Sequence, residues 1–131
     1  ALPESILVVD DTPSSLTVAQ MTLDDAGVRT HAAAGGREAI TVLSSEKVGG
    51  VLSDIRMPGM SGLELLDYIR SKHPGIPIVL MTGFSEVIEQ GHRVDAPVLT
   101  KPFTSEQLRN AFAIAASRLG DRSNVVALRR P

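Results

Sequence analysis

Short runs of apolar residues alternate along the chain with segments whose apolar positions recur at helical spacing. The apolar runs predict five strands, at residues 6–9, 28–32, 48–53, 76–81 and 96–99. Most of these runs are nearly continuous in apolar residues, which is typical of strands that are buried on both faces. Strands of this kind, separated by helical segments, predict a parallel sheet with helices on both sides.

Five segments with helical spacing follow the strands. The helices are expected to begin, in chain order, at Pro13, Gly36, Ser61, Ser85 and Thr104. Proline suits the first turn of a helix, and Gly27 is a typical residue just beyond a helix end. Right-handed crossovers leave few topologies for such a chain, and the expected fold is a doubly wound α/β sandwich with strand order 2-1-3-4-5.

The composition fits one small domain, since the 131 residues are 43% hydrophobic and are enough to bury a core. A net charge of −2 gives no electrostatic footprint for nucleic acid, and the absence of cysteine suits a reducing compartment. No apolar stretch approaches the roughly 18 residues that a membrane span needs, and no secretion signal begins the chain. The sequence therefore predicts a cytoplasmic domain without direct nucleic-acid or membrane contact.

Polar side chains stand at the carboxyl ends of four predicted strands. Asp10 and Asp11 follow the first strand, Asp54 the third, Thr82 the fourth and Lys101 the fifth. The carboxyl ends of parallel strands face one crevice, where ligands of doubly wound folds bind. Clustered carboxylates repel one another unless a cation compensates them, and Mg²⁺ prefers carboxylate and phosphate oxygens. The pattern predicts a cation-dependent phosphoryl site.

Four motifs resemble the receiver domain of two-component response regulators and occur in the order of that family. They are Ile-Leu-Val-Val-Asp-Asp at 6–11, Ser-Asp-Ile-Arg-Met-Pro-Gly-Met-Ser-Gly at 53–62, Leu-Met-Thr-Gly at 80–83 and Leu-Thr-Lys-Pro-Phe at 99–103. Together they cover about residues 5–118. The resemblance implies a flavodoxin-like (βα)5 fold and a conformational switch, not an enzyme, that a histidine kinase or a histidine phosphotransfer domain phosphorylates.

The resemblance also implies roles for individual residues. Asp54 corresponds to the phosphoacceptor, Thr82 to the switch hydroxyl and Lys101 to the lysine of the site. A monomer or a weak phosphorylation-dependent dimer is expected. The Lys101-Pro102 peptide bond is expected to be cis.

A magnesium site is expected beside the acceptor, with Mn²⁺ as an alternative ion. Asp11 and Asp54 are the expected direct ligands, and Asp10 is expected to act through water. The family adds the backbone carbonyl two residues past the acceptor, which here belongs to Arg56.

Each of these residues also has an ordinary structural interpretation. Asp10 and Asp11 could cap a helix, Asp54 could be a turn residue before Pro-Gly, and Lys101 could be a solvated charge. A haloacid-dehalogenase-type phosphohydrolase is the alternative function, because it too uses an Asp nucleophile with Mg²⁺. That family needs a second Asp two residues after the nucleophile, where Asp54 is followed by Arg56. The spacing favours the receiver.

The sequence departs from the family pattern near the fifth strand and at the end of the chain. Val98 stands where the family often has Tyr or Phe, and residues 120–131 show no helical stripe. These features predict a receiver domain at 1–119, then a flexible C-terminal tail or linker at 120–131. They favour an origin in a hybrid histidine kinase, or a receiver that stands nearly alone, over a DNA-binding regulator. A kinase or phosphotransfer partner is expected to dock over the Asp54 crevice, with the first helix at its edge, and to bury exposed apolar positions such as Val18 or Met21.

Overall fold

The computed structural model describes residues 2–83 and 96–129, with side chains described as far as Leu119. The five strands are β1 (Ser5–Val9), β2 (Arg29–Ala33), β3 (Gly50–Asp54), β4 (Ile78–Thr82) and β5 (Val98–Thr100). The described helices are α1 (Pro13–Asp25), α2 (Gly36–Ser45), α3 (Gly62–Lys72) and α4 (Ser105–Arg129). Each of these helices begins within a few residues of its predicted start, and α4 ends later than predicted. The short helix predicted from Ser85 lies outside the described residues.

All five strands pair in parallel, in the order β2-β1-β3-β4-β5. This is the doubly wound, flavodoxin-like order that the sequence predicts. The pairing aligns Asp54 at the end of β3 with Met81, and Thr82 at the end of β4 with Thr100. The strand ends that carry the candidate site therefore lie at one edge of the sheet.

The core has two layers, one on each face of the sheet. In β1, Leu7 and Val9 pack against one layer with α2 and α3, whereas Ile6 and Val8 pack against the other with α1 and α4. All four of these side chains are fully buried. Full burial of such a side chain contributes about 1.5–3 kcal/mol, so β1 is a major source of stability. The prediction from the nearly continuous apolar run, a strand buried on both faces, is confirmed for β1.

Helix α4 continues to Arg129, past Leu119, where the sequence predicts the helix to end. Gly120 costs a helix interior only about 1 kcal/mol relative to alanine, and no proline interrupts the backbone hydrogen bonds before residue 131. The helical backbone thus extends beyond its apolar stripe, while the domain boundary at residue 120 stays a prediction. Among the residues that the structure describes, no helix is long and apolar enough to cross a membrane.

Candidate metal and phosphoryl site

The carboxyl edge of the sheet brings four charged side chains together. Carboxylate oxygens of Asp10, Asp11 and Asp54 all lie within 4.8 Å of one another. The Nζ atom of Lys101 lies 2.9 Å from Oδ2 of Asp10 and 3.5 Å from Oδ2 of Asp54. The interpretation of Lys101 as a merely solvated charge is therefore wrong, since its ammonium group lies between two carboxylates.

Backbone hydrogen bonds extend the sheet ladder into the site. The Asp10 amide donates to the carbonyl of Ala33 at 3.1 Å, and the Lys101 amide donates to the carbonyl of Thr82 at 2.8 Å. The Lys101-Pro102 bond is cis, as predicted. The backbones of Asp10 and Lys101 are therefore anchored to the sheet, and strand register brings them to the same edge.

The first turn of α3 lies against the backbone of Asp54. The Gly62 amide donates to the carbonyl of Ile55 at 2.7 Å. A Cβ atom on residue 62 would overlap the carbonyl oxygen of Asp54 and lie 2.8 Å from the Cα atom of Ile55. Ser61 and Glu64 form a capping box that starts α3 at this point. The sequence identified Gly62 only as part of a helix start, and nothing in its local pattern indicates this close approach.

The environment of Asp54 makes its ionisation costly. Burial raises the pKa of Asp54 to about 6; the neighbouring Asp10 carboxylate adds to the rise, while Lys101 and the Ile55 amide oppose it. The amide of Ile55 donates to Oδ1 of Asp54 at 2.9 Å. At neutral pH Asp54 is therefore ionised, but the protein's own positive groups compensate its negative charge only in part.

Asp10 is more deeply buried than Asp54 and behaves in the opposite way. Burial opposes its ionisation, but hydrogen bonds from the Ser15 hydroxyl, the Thr12 amide and Lys101 outweigh that cost and hold the pKa of Asp10 below its usual value. Asp10 is thus the stable ionised partner of Lys101. Asp11, in contrast, is exposed at the mouth of the crevice.

The remaining predicted residues lie around this cluster. Thr82 ends β4 and is 3% exposed, and Arg56 is an exposed residue in the loop after β3. Ser15 is a residue that the sequence analysis did not place in the site. Its Oγ atom accepts a hydrogen bond from Nζ of Lys101 at 2.8 Å. A serine in the first turns of a helix is too common to indicate such a contact.

The donor set of the crevice fits a hard divalent cation. Three carboxylates supply only oxygen ligands, and one of them, Asp11, is exposed to solvent. Mg²⁺ typically keeps several waters and takes one or two carboxylates, with phosphate oxygens completing its shell. The acidic cluster is therefore compatible with Mg²⁺, whose charge would compensate the carboxylates that repel one another here.

Comparison with known proteins identifies the family. Residues 6–113 match the model of the response regulator receiver domain. Over 130 residues the chain is 34% identical to the C4-dicarboxylate transport transcriptional regulatory protein DctD of Pseudomonas aeruginosa, a match that covers 94% of this chain and 28% of that protein. It is 40% identical over 82 residues to the DNA-binding transcriptional regulator NtrC of Salmonella typhimurium, covering 63% of this chain and 18% of the regulator. The match therefore covers less than a third of either relative.

A solved structure supports the same assignment. The response regulator protein TrrA from Thermotoga maritima, determined in complex with Mg²⁺-BeF, superposes with a TM-score of 0.71 at 30% identity, covering 86% of this chain and 98% of that one. Receiver domains are signal-transduction domains that bind Mg²⁺ at an acidic pocket and take phosphoryl groups from histidine kinases. The haloacid-dehalogenase alternative receives no support from these matches. The chain belongs to the family of response regulator receiver domains.

Proposed function

We propose that Asp54 accepts the phosphoryl group, in a Mg²⁺-dependent reaction with a histidine kinase or a histidine phosphotransfer domain. The observation that carries the proposal is the Lys101 ammonium group, 3.5 Å from Oδ2 of a buried Asp54 that two further carboxylates adjoin. Phosphoryl transfer depends mainly on alignment and on compensation of charge, and this cluster supplies both.

Within Asp54 the two carboxylate oxygens have different surroundings. Oδ1 already accepts the Ile55 amide hydrogen, whereas Oδ2 is the oxygen nearer to Lys101. We assign Oδ2 as the attacking atom: its bond to phosphorus forms as the phosphorus–nitrogen bond of the donor phosphohistidine breaks, and the imidazole leaves with the bonding electrons. Lys101 then faces the oxygens of the transferred group, where its charge lowers the barrier.

Thr82 is the proposed switch residue. It ends β4, the strand next to β3, and the loop after β4 begins directly beyond it. A hydroxyl that gains a charged acceptor shifts a pre-existing equilibrium of that loop toward the phosphorylated conformation. Signalling then requires no change of fold.

For the metal ion, the proposed direct ligands are Asp11, Asp54 and the backbone carbonyl of Arg56. Asp10 is proposed to act through water, because its Oδ2 atom is already bonded to Lys101. The ion supplies positive charge next to the acceptor and to the phosphoryl oxygens. Mn²⁺ has the same preference for oxygen ligands and is expected to substitute.

The proposed docking surface for the phosphodonor includes α1. Val18 and Met21 on this helix are 58% and 60% exposed, so a partner that covers them would bury apolar surface. An origin in a hybrid kinase stays a prediction: the relatives described above are transcriptional regulators, of which the chain spans a minor part. A cytoplasmic, monomeric or weakly dimeric protein completes the proposal.

The test is phosphorylation of the purified chain with acetyl phosphate and Mg²⁺, followed by intact-mass measurement. One added phosphoryl group is expected, none in Asp54→Asn, and none after chelation of the ion. Asp67→Asn is the matched control, since Asp67 is an exposed aspartate on α3. Labelling of Asp54→Asn to the level of the parent chain would show that another residue is the acceptor.

A further inference from the structure

Ser15 lies on α1, and its hydroxyl contacts Lys101 of the site instead of a backbone carbonyl of the helix. The Oγ atom accepts from Lys101 at 2.8 Å, and the hydroxyl is one of the groups that hold the pKa of Asp10 below its usual value. Thr17 and Thr22 on this helix instead donate their hydroxyls to the carbonyls of Pro13 and Val18. Ser15 is therefore set apart from the other α1 hydroxyls by its partners.

The geometry of an ammonium group gives this contact a consequence. Lysine carries three N–H donors in fixed tetrahedral directions on a flexible stem. In Lys101 one donor is held by Asp10 at 2.9 Å and one by Ser15 at 2.8 Å. Two fixed directions determine the third, and among the residues that the structure describes the remaining partner within ion-pair distance is Oδ2 of Asp54, at 3.5 Å.

We propose that Ser15 is a positioning residue, which orients the Lys101 ammonium group so that one N–H is directed at the acceptor oxygen of Asp54. The kinetic part of this inference rests on the proposed function, whereas the orientation of the ammonium group does not. Without the hydroxyl, the partners of Lys101 in the described part of the chain are the carboxylates of Asp10 and Asp54, and its N–H groups rotate between them. The stem then spends less time in the orientation that faces a group on Asp54.

The test compares Ser15→Ala and Ser15→Thr with the parent chain of 131 residues. Ser14→Ala is the control, because Ser14 is the exposed neighbour on the same helix. Loss of one hydrogen bond to a charged group is expected to slow phosphorylation by acetyl phosphate about fivefold at saturating Mg²⁺. Ser15→Thr restores the hydroxyl and should recover most of the rate, and Ser14→Ala should match the parent chain.

A second measurement separates this inference from the proposed function. The chain has three lysines, of which Lys47 and Lys72 are exposed, so nitrogen-15 NMR of the ammonium groups has internal references. Lys101 should show slower hydrogen exchange than the other two, and Ser15→Ala should accelerate that exchange without phosphodonor or metal. If the parent chain fails to become phosphorylated, the proposed function fails while the NMR result still decides the role of Ser15. A folded Ser15→Ala with parental exchange at Lys101, or a Ser15→Thr variant as impaired as Ser15→Ala, overturns the inference.

Discussion

A side chain at position 62 cannot coexist with the observed backbone of Asp54, because the Cβ atom would overlap the carbonyl oxygen of that residue. Gly62 is also bonded through its amide to the next carbonyl, that of Ile55. The first turn of α3 thus holds the backbone of Asp54, the residue proposed to carry the phosphoryl group.

We therefore expect Gly62→Ala to lower the free energy of unfolding by about 3 kcal/mol, the upper end of the usual cost of overpacking, because the atoms that must move are backbone atoms. The displacement of Asp54 should also reduce phosphorylation in whatever fraction remains folded. Urea unfolding and the acetyl phosphate assay measure the two effects. Gly75→Ala is the control, since an added Cβ meets no heavy atom within 4 Å there. A Gly62→Ala variant as stable as Gly75→Ala would contradict the packing argument.

The raised pKa of Asp54 predicts that removing its charge stabilises the fold. The folded protein keeps a proton on Asp54 up to pH of about 6, whereas the unfolded chain releases it near 3.8, so stability falls as pH rises between these values. Asp54→Asn should therefore raise the free energy of unfolding by about 1–3 kcal/mol near pH 7.5 without divalent ions. The gain should largely vanish near pH 4. Thermal unfolding across this pH range measures the gain in stability. A gain that grew toward acid pH would show that the pKa of Asp54 is not raised in the folded protein.

Lys101 is expected to stabilise the metal-free protein as well as to take part in the reaction. Its side chain is 23% exposed, while that of Asp10 is fully buried. Lys101→Met would leave Asp10 and Asp54 without their common counter-charge, at a cost of about 1–3 kcal/mol near neutral pH. Urea unfolding measures the loss, and Lys72→Met, at an exposed position on α3, should have little effect. Equal midpoints for the two variants would show that the ion pair contributes nothing.

Mg²⁺ should stabilise the chain through Asp11. An ion that binds only the folded state, at ten to a hundred times its dissociation constant, adds about 1–3 kcal/mol to the free energy of unfolding. Asp11→Asn should remove most of this increment while leaving the ion-free stability near that of the parent chain, because Asp11 is exposed. Thermal unfolding with and without Mg²⁺ tests this. An undiminished response in Asp11→Asn would exclude that carboxylate as a direct ligand.

The fold and the charged cluster were predictable because each rests on a local signal. The four apolar residues of β1 indicated a strand buried on both faces, and the residues at the strand ends were brought together by the parallel topology itself. Asp10 and Lys101 meet across 91 positions of sequence for this reason alone. No knowledge of side-chain packing was needed for either prediction.

Two details depend on packing that the sequence does not reveal, and a third was misjudged from the sequence pattern. The approach of Gly62 to Asp54 depends on how closely α3 returns to the end of β3, and a glycine at any helix start has the same local pattern. The contact between Ser15 and Lys101 depends on the path of a flexible lysine stem. The extension of α4 beyond Leu119 follows from the absence of a strong helix breaker, and the loss of an apolar stripe was a misleading guide to the end of that helix.

The polar character of α1 bears on how fast a partner can be captured. From Thr12 to Leu23 the chain carries no charged side chain, yet this stretch presents Val18 and Met21 to solvent. This uncharged stretch adds no long-range attraction to a diffusional encounter, so its own contribution to the association rate should barely change with ionic strength. The charges of α1 lie at its end, on Asp24 and Asp25. Discrimination among phosphodonors at this helix then resides in the lifetime of the complex, because apolar burial acts only after the two surfaces have met.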